Sequence, residues 1–267
     1  MPAFADWADP RTVMEMAVEA EQAGWDGFFL WDHVTWNPAW GGTPAMADPW
    51  ICLAAAAAAT SRVIMGPMVT PLARRRPQIV ARAIVSVDHL SGGRAVLGVG
   101  LGDDFEYQAF GEPLEGRAAR LDEALSVVET LLSGAPVDFE GEHFHVHSPP
   151  ALPRPVNEKI PIWVGGHWPN PGPFRRAARY DGVIPRRRDQ ESGGYITVDD
   201  LAAIRAAIGR DVGYDYVVSG STASPTDVAA LRTWQAEGAT WWLESLHPFG
   251  GAAADMRTRL RAGPPIL

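Results

Sequence analysis

The sequence predicts an α/β fold: a single (β/α)8 barrel (TIM barrel) with one short β-hairpin insertion, occupying residues 1–267 as one domain. Short, continuously apolar, β-rich segments alternate with helical patterns along the whole chain, as parallel strands covered by helices require. The length of 267 residues suits one such barrel. No linker rich in proline, glycine and serine divides the chain into halves.

Strands are expected at Gly27–Asp32, Val63–Val69, Ala95–Val99, Ile160–Val164, Gly182–Ile184, Asp215–Ser219 and Thr240–Leu243. Pro2–Phe4 would be the stub of an eighth, first strand that the chain enters part-way, leaving the barrel poorly closed there. The intervening helices carry their own start signals. Asp9-Pro10, Asp48-Pro49 and Ser224-Pro225 each place a capping oxygen before a proline whose missing N–H costs nothing in a first turn. Thr197 with Asp200 has capping-box spacing, and Gly24 and Gly238 suit left-handed helix ends. Leu121, Ala124, Leu125, Val128, Leu131 and Leu132 fall on one helical stripe, as do Val13, Met16, Ala17 and Ala20. Val137–His147, centred on Glu140-Gly141, reads as the hairpin. An open doubly wound sheet is the competing architecture.

Twenty-three basic against 32 acidic residues give a net charge of −9, which argues against a nucleic-acid partner. Cys52 is the one cysteine, so an intrachain disulfide is impossible and a reducing, cytoplasmic setting is expected. The longest apolar run, Ile51–Ala59, is too short to cross a bilayer, so no membrane association is expected.

Chemistry in such a fold gathers at the carboxyl ends of the strands. His33 follows the Gly27–Asp32 strand and is a candidate proton donor or acceptor, with Asp32 beside it. Glu244 and His247 end the last strand and are further candidates. Gly98-Val99-Gly100-Leu101-Gly102 has Asp103 where a dinucleotide fingerprint needs its third glycine, so its glycines are read as letting a flat ring approach the backbone. Gly165 and Gly166 lie before a helix expected near Pro171 and offer backbone N–H groups to a phosphate. Two arginine runs, 74–76 and 186–188, fall on the same face and suit an anion. His143, His145 and His147 share the spacing of a metal site, but their place in the hairpin argues against one, and no metal is expected.

The segments AEQAGWDGFFLWDH (20–33), MGPMVTPLARRRP (65–77), LSGGRAVLGVGLG (90–102), FEGEHF (139–144), IPIWVGG (160–166), ARYDGVIP (178–185) and EGATWWLESL (237–246) together resemble the bacterial luciferase-like monooxygenase family, in particular its deazaflavin (coenzyme F420) dependent oxidoreductases. The resemblance spans nearly the whole chain. It implies the barrel, a deazaflavin or flavin across its carboxyl end, a small-molecule substrate and a homodimer. By position it implies that Asp32 and His33 contact the ring, with His33 moving a proton, and that Pro67 and Met68 form a supporting bulge with a cis peptide between them. It also implies that Gly100 and Leu101 flank the ring and that Gly165, Gly166 and His167 take the side-chain phosphate. Arg186, in the second arginine run, joins them as an expected cofactor contact, holding the anionic tail. The expected reaction is hydride transfer between F420 and a small organic substrate. Two alternatives keep the fold: an FMN-dependent monooxygenase using dioxygen, and a flavin-binding protein without turnover. A metal-dependent hydrolase using the histidine triplet is a third. The first strand and the stretch between the fourth and fifth strands are shorter than in many members, so substrate residues do not transfer.

Overall fold

The computed structural model describes residues 1–40, 42–188, 194–246 and 253–266. Seven parallel strands carry the architecture: β1 (Gly27–Leu30), β2 (Ile64–Pro67), β4 (Leu97–Gly100), β7 (Ile162–Trp168), β8 (Gly182–Arg187), β9 (Asp215–Gly220) and β10 (Trp241–Glu244). A two-residue β3 (Thr70–Pro71) also pairs with β4, and β5 (Val137–Glu140) pairs antiparallel with β6 (His145–Ser148).

β1 pairs with β2, and β3-β4-β7-β8-β9-β10 form one parallel sheet. A parallel bridge between Met65 and Ala95 joins the two sheets, with the Val96 N–H donating to the Met65 carbonyl at 2.8 Å. Among the described residues β10 and β1 do not pair. Side chains span the opening instead, for the Phe29 ring lies 5.6 Å from Trp163 and 6.0 Å from Trp241, and the two indoles are 5.4 Å apart.

Alternation along the strands explains this placement, because successive side chains point to opposite faces. Phe29, Trp163, Ile184 and Val217 enter an inner cluster with Val96. Their neighbours Phe28, Leu30, Ile162, Val164, Val183, Tyr216 and Val218 enter the outer core against the helices.

The helices are α1 (Pro10–Gln22), α2 (Pro49–Ala59), α3 (Pro77–Ser91), α4 (Asp104–Ala109), α5 (Arg117–Ser133), α6 (Pro171–Ala177), α7 (Val198–Ile208), α8 (Ala229–Ala236) and α9 (Ala253–Arg261). Asp9 and Asp48 cap α1 and α2 ahead of proline as expected, and Thr197 with Asp200 closes the capping box of α7. The stripes expected on α1 and α5 are the buried ones. Gly24 and Gly238 take φ of 95° and 97° just past the ends of α1 and α8, where a side chain would be strained.

Three local expectations are corrected. Pro2–Phe4 forms no strand: the parallel contact with β1 is made by Met1, whose backbone nitrogen donates to the Phe29 carbonyl (2.7 Å) while its carbonyl accepts from the Trp31 N–H (2.8 Å). Pro2 has no N–H to continue that ladder, and Phe4 bridges Met46 instead. Ser224-Pro225 opens a turn rather than a helix, because the Asp227 N–H returns to the Ser224 carbonyl and α8 begins only at Ala229. The non-proline cis peptide lies at Met68-Val69, not at Pro67-Met68. Pro67 is still in register with Leu30 and the Met68 N–H still donates to the Leu30 carbonyl at 2.6 Å, whereas Thr70 is already paired with Val99. The chain changes partner strand between these points.

Arg187 makes a bidentate pair with Asp200 at 2.7 and 2.8 Å. This pairing, against an opposing effect of burial, and the Thr197 bonds hold the Asp200 carboxyl down to about 2. A carboxyl depressed in the folded state stabilises above its unfolded value, and loses that contribution as pH falls through the folded value. Asp200→Asn is therefore expected to cost about 1 kcal/mol at neutral pH. In denaturant unfolding, the gap to the parent should close between about pH 4 and about pH 2.

Candidate active site

The carboxyl ends of the strands open into a cavity of about 1540 Å³. Because β1 and β10 are unpaired, its lining runs on to Trp25, Gly27 and Pro264 near the amino end of β1.

Its floor is built from β2 and the residues after it. Met68 and Val69 face the cavity together with Gly100, Gly165 and Ile184. The glycines serve this floor differently from the sequence expectation. A Cβ on Gly98 would lie 2.3 Å from the Pro67 carbonyl oxygen, and one on Gly100 would lie 2.6 Å from the Val69 side chain. One on Gly166 would lie 2.2 Å from Pro173. They admit neighbouring protein, and it is the Met68-Val69 bulge so seated that faces the cavity. Pro67 is buried in β2 and is not part of the lining; Val69 takes its place.

His33 stands at the edge of this floor, about a quarter exposed. Trp31 and Trp36 meet its ring edge-on at 6.2 and 5.7 Å. Behind it is Glu106 of α4, which the sequence reading missed. The Glu106 carboxylate accepts from the Val34 N–H (2.6 Å), the Thr35 N–H (3.2 Å) and Arg74 (3.3 Å), and lies 3.5 Å from His33 Nδ1. Burial works to raise its pKa, but His33, the Val34 N–H and Arg74 outweigh it and hold the carboxyl below the usual carboxylate range. The pairing engages Nδ1 of the imidazole, and among the described residues no hydrogen bond to Nε2 is seen.

Asp32 is also turned inward. Its buried carboxylate accepts from Trp50 Nε1 (3.1 Å), from the Thr70 hydroxyl and from Arg75 (2.5 Å). Arg74 and Arg75, expected to grip an anionic ligand, are thus committed to two buried carboxylates, since a charge is tolerated in such a place only when compensated. Only sequence distance hid this, because Glu106 sits beyond β4 and Arg74-Arg75 beyond β2.

Gly165, Gly166 and His167 belong to β7 itself, in register with Ile184, Pro185 and Arg186 of β8, so no loop begins until Pro169. His167 shares a corner of the cavity with Arg186 and Arg188. Burial, then the charges of Arg188 and Arg186, hold the imidazole below its usual pKa. Arg186 lies over the Tyr195 ring at 4.8 Å. Leu101 lines the opposite wall.

Glu244 reaches the lining, but its carboxylate accepts from the Thr222 N–H (2.6 Å), the Thr222 hydroxyl (2.8 Å) and Trp242 Nε1 (3.0 Å), with Arg259 at 3.6 Å. It ties the β9 and β10 ends together rather than presenting a reactive group. His247 lies outside the described residues. In the hairpin, His145 and His147 hydrogen-bond Glu140 and Asp138, while His143 lies against Gly116. Among the described residues no group of three or more potential ligands is placed to hold a metal ion, and no helix is long and apolar enough to cross a membrane.

The model of the luciferase-like monooxygenase family matches residues 3–263. The chain belongs to that family. An F420-dependent glucose-6-phosphate dehydrogenase of Beutenbergia cavernae is 36% identical over 173 residues, which are 63% of this chain and 50% of the relative. The enzyme of the same name from Nakamurella multipartita is 35% identical over 188 residues, 68% of this chain and 54% of the relative. The chain thus spans about half the length of the curated relatives it matches. A solved F420-dependent secondary alcohol dehydrogenase in complex with an F420-acetone adduct superposes with a TM-score of 0.68 at 21% identity, covering 97% of this chain and 79% of that one. At this identity the likeness bears on the fold alone.

Glu106→Gln keeps the shape and removes the charge. It is expected to cost about 1–3 kcal/mol in denaturant unfolding. It should also release the His33 tautomer, read as a change in the ¹⁵N shifts of that imidazole. An unchanged tautomer would mean that Glu106 serves only the backbone of residues 34 and 35.

Proposed function

We propose that the protein is an oxidoreductase that moves a hydride between a bound deazaflavin, coenzyme F420, and a small organic substrate, on a (β/α)8-type succession of which seven parallel strands are described. The observation that carries this reading is one cavity in which a histidine with a free ring nitrogen borders a broad apolar floor, with arginines gathered at the far corner. The family relatives named for F420 support the choice of cofactor.

The residues fit that group. Met68, Val69 and Gly165 offer an apolar face wide enough for a fused ring system, and Leu101 bounds it. Arg186 and Arg188 surround a His167 imidazole kept uncharged, so this corner has positive charge to share with a phosphate or carboxylate tail. When bound, the deazaflavin supplies the two-electron chemistry.

The chain's part is position and proton handling. The Met68-Val69 floor fixes the plane in which a ring lies, and the aromatic collar of Trp31 and Trp36 limits water around His33. Glu106 keeps the Nδ1 side of His33 engaged, so Nε2 is the atom that takes or gives the substrate proton. Asp32 supports the same segment from below through Trp50, Thr70 and Arg75.

Titrating the protein separately with F420 and FMN, followed by difference absorbance, tests the cofactor; saturable binding of F420 is expected, and binding of FMN alone would overturn the reading. His33→Ala should keep F420 binding while lowering turnover by roughly 10²- to 10⁴-fold, the range for losing a general acid or base. Unchanged turnover would remove His33 from the chemistry.

A further inference from the structure

Formal charge around the cavity is divided unevenly. Among the described residues, three of the four arginines that line it, Arg186, Arg187 and Arg188, sit at the end of β8, beside His167. Arg187 there is drawn to Asp200. Among the described residues the one lining arginine on the His33 side is Arg117, held at 2.5 Å by Asp104. Arg74 and Arg75 are spent on Glu106 and Asp32. Asp103 also faces the cavity there, its carboxylate accepting the Phe105 N–H as the cap of α4. The chain's one lysine, Lys159, pairs with Asp181 ahead of β8, at the other end of the strands.

What does line the His33 side is Trp31, Phe105 and the neutral amides of Asn37 and Gln108. The Asn37 side-chain oxygen is taken by the Ala39 N–H at 3.0 Å, which leaves its NH2 group to donate.

We infer that the compound reacting beside His33 carries no phosphate or carboxylate: it is an uncharged alcohol or carbonyl compound with apolar substituents. This rests on the proposed hydride-transfer reading and names its substrate class. In the oxidising direction the carbinol C–H leaves as hydride to the oxidised deazaflavin, the O–H proton passes to His33 Nε2, and the C–O bond becomes a carbonyl; the reverse consumes the same hydride and proton. An oxygen at that carbon accepts from His33 or from the Asn37 amide, and the substituents lie against Trp31 and Phe105. A sugar phosphate, the substrate in the names of the relatives from Beutenbergia and Nakamurella, would bring its charge to a side where Asp103 repels it and where Arg117, Arg74 and Arg75 each already face a carboxylate.

The test uses the intact protein without cofactor, in excess inorganic phosphate to occupy the arginine corner, so it succeeds or fails independently of F420 turnover. Tryptophan emission is followed during titration with cyclohexanone and with cyclohexanecarboxylate, which match in shape and differ in charge. The signal of Trp31→Phe is subtracted to isolate the indole beside His33. Cyclohexanone is expected to bind at least about tenfold more tightly than the carboxylate. Gln108→Arg, at an exposed position on α4, should bring the carboxylate to within about threefold of the ketone by adding the missing cation. Carboxylate or glucose 6-phosphate binding as tightly as cyclohexanone to the parent protein would overturn the inference, as would a ketone that gives no saturable change.

Discussion

Two carboxylates buried under the mouth of the strands, Asp32 and Glu106, govern how the rest of the site is arranged. Each is withdrawn from water and each is matched by an arginine from the turn after β3, Arg75 for one and Arg74 for the other. An unmatched charge at such depth would be costly enough to unfold the segment. The pairing therefore fixes β1, the turn after β3 and the start of α4 relative to one another. His33 inherits its position from that arrangement, since its neighbours on both sides of the chain are held by these anions.

The same pairing divides the cavity electrically. By using Arg74 and Arg75 internally, the protein leaves no unmatched arginine among the described residues that line the His33 side, while Arg186, Arg187 and Arg188 reach the cavity at the end of β8. A ligand with an anionic tail and a neutral reactive end matches this polarity; one charged at both ends does not. The floor between the two sides is set by a different constraint, the close seating of the Met68-Val69 bulge against Gly98 and Gly100, where side chains larger than hydrogen would collide with backbone or with Val69.

Much of this could be read in the amino-acid order. All seven strand positions rest on continuous apolar runs, and the helix starts at Asp9, Asp48 and Thr197 rest on local capping chemistry, which sequence states directly. His33, Met68, Gly100, Leu101, Gly165, Gly166, His167 and Arg186 all reach the cavity, because a strand end determines which residues face the mouth. The roles that were misread depend on contacts between segments far apart in the chain. Glu106 meets Val34 across 72 residues, Arg75 meets Asp32 across 43, and Gly98 and Gly100 meet Pro67 and Val69, which no spacing rule connects to them. Glu244 looked reactive only because its partners, Thr222 and Arg259, lie elsewhere in sequence.

A crystal structure of the protein soaked with F420 examines the account most directly. The expected density places the ring on the Met68-Val69 floor with its reactive edge toward His33, and the tail at His167, Arg186 and Arg188, with Arg74 and Arg75 still on their carboxylates. A tail drawn instead to Arg74 and Arg75, with Asp32 or Glu106 left without its arginine, would contradict it.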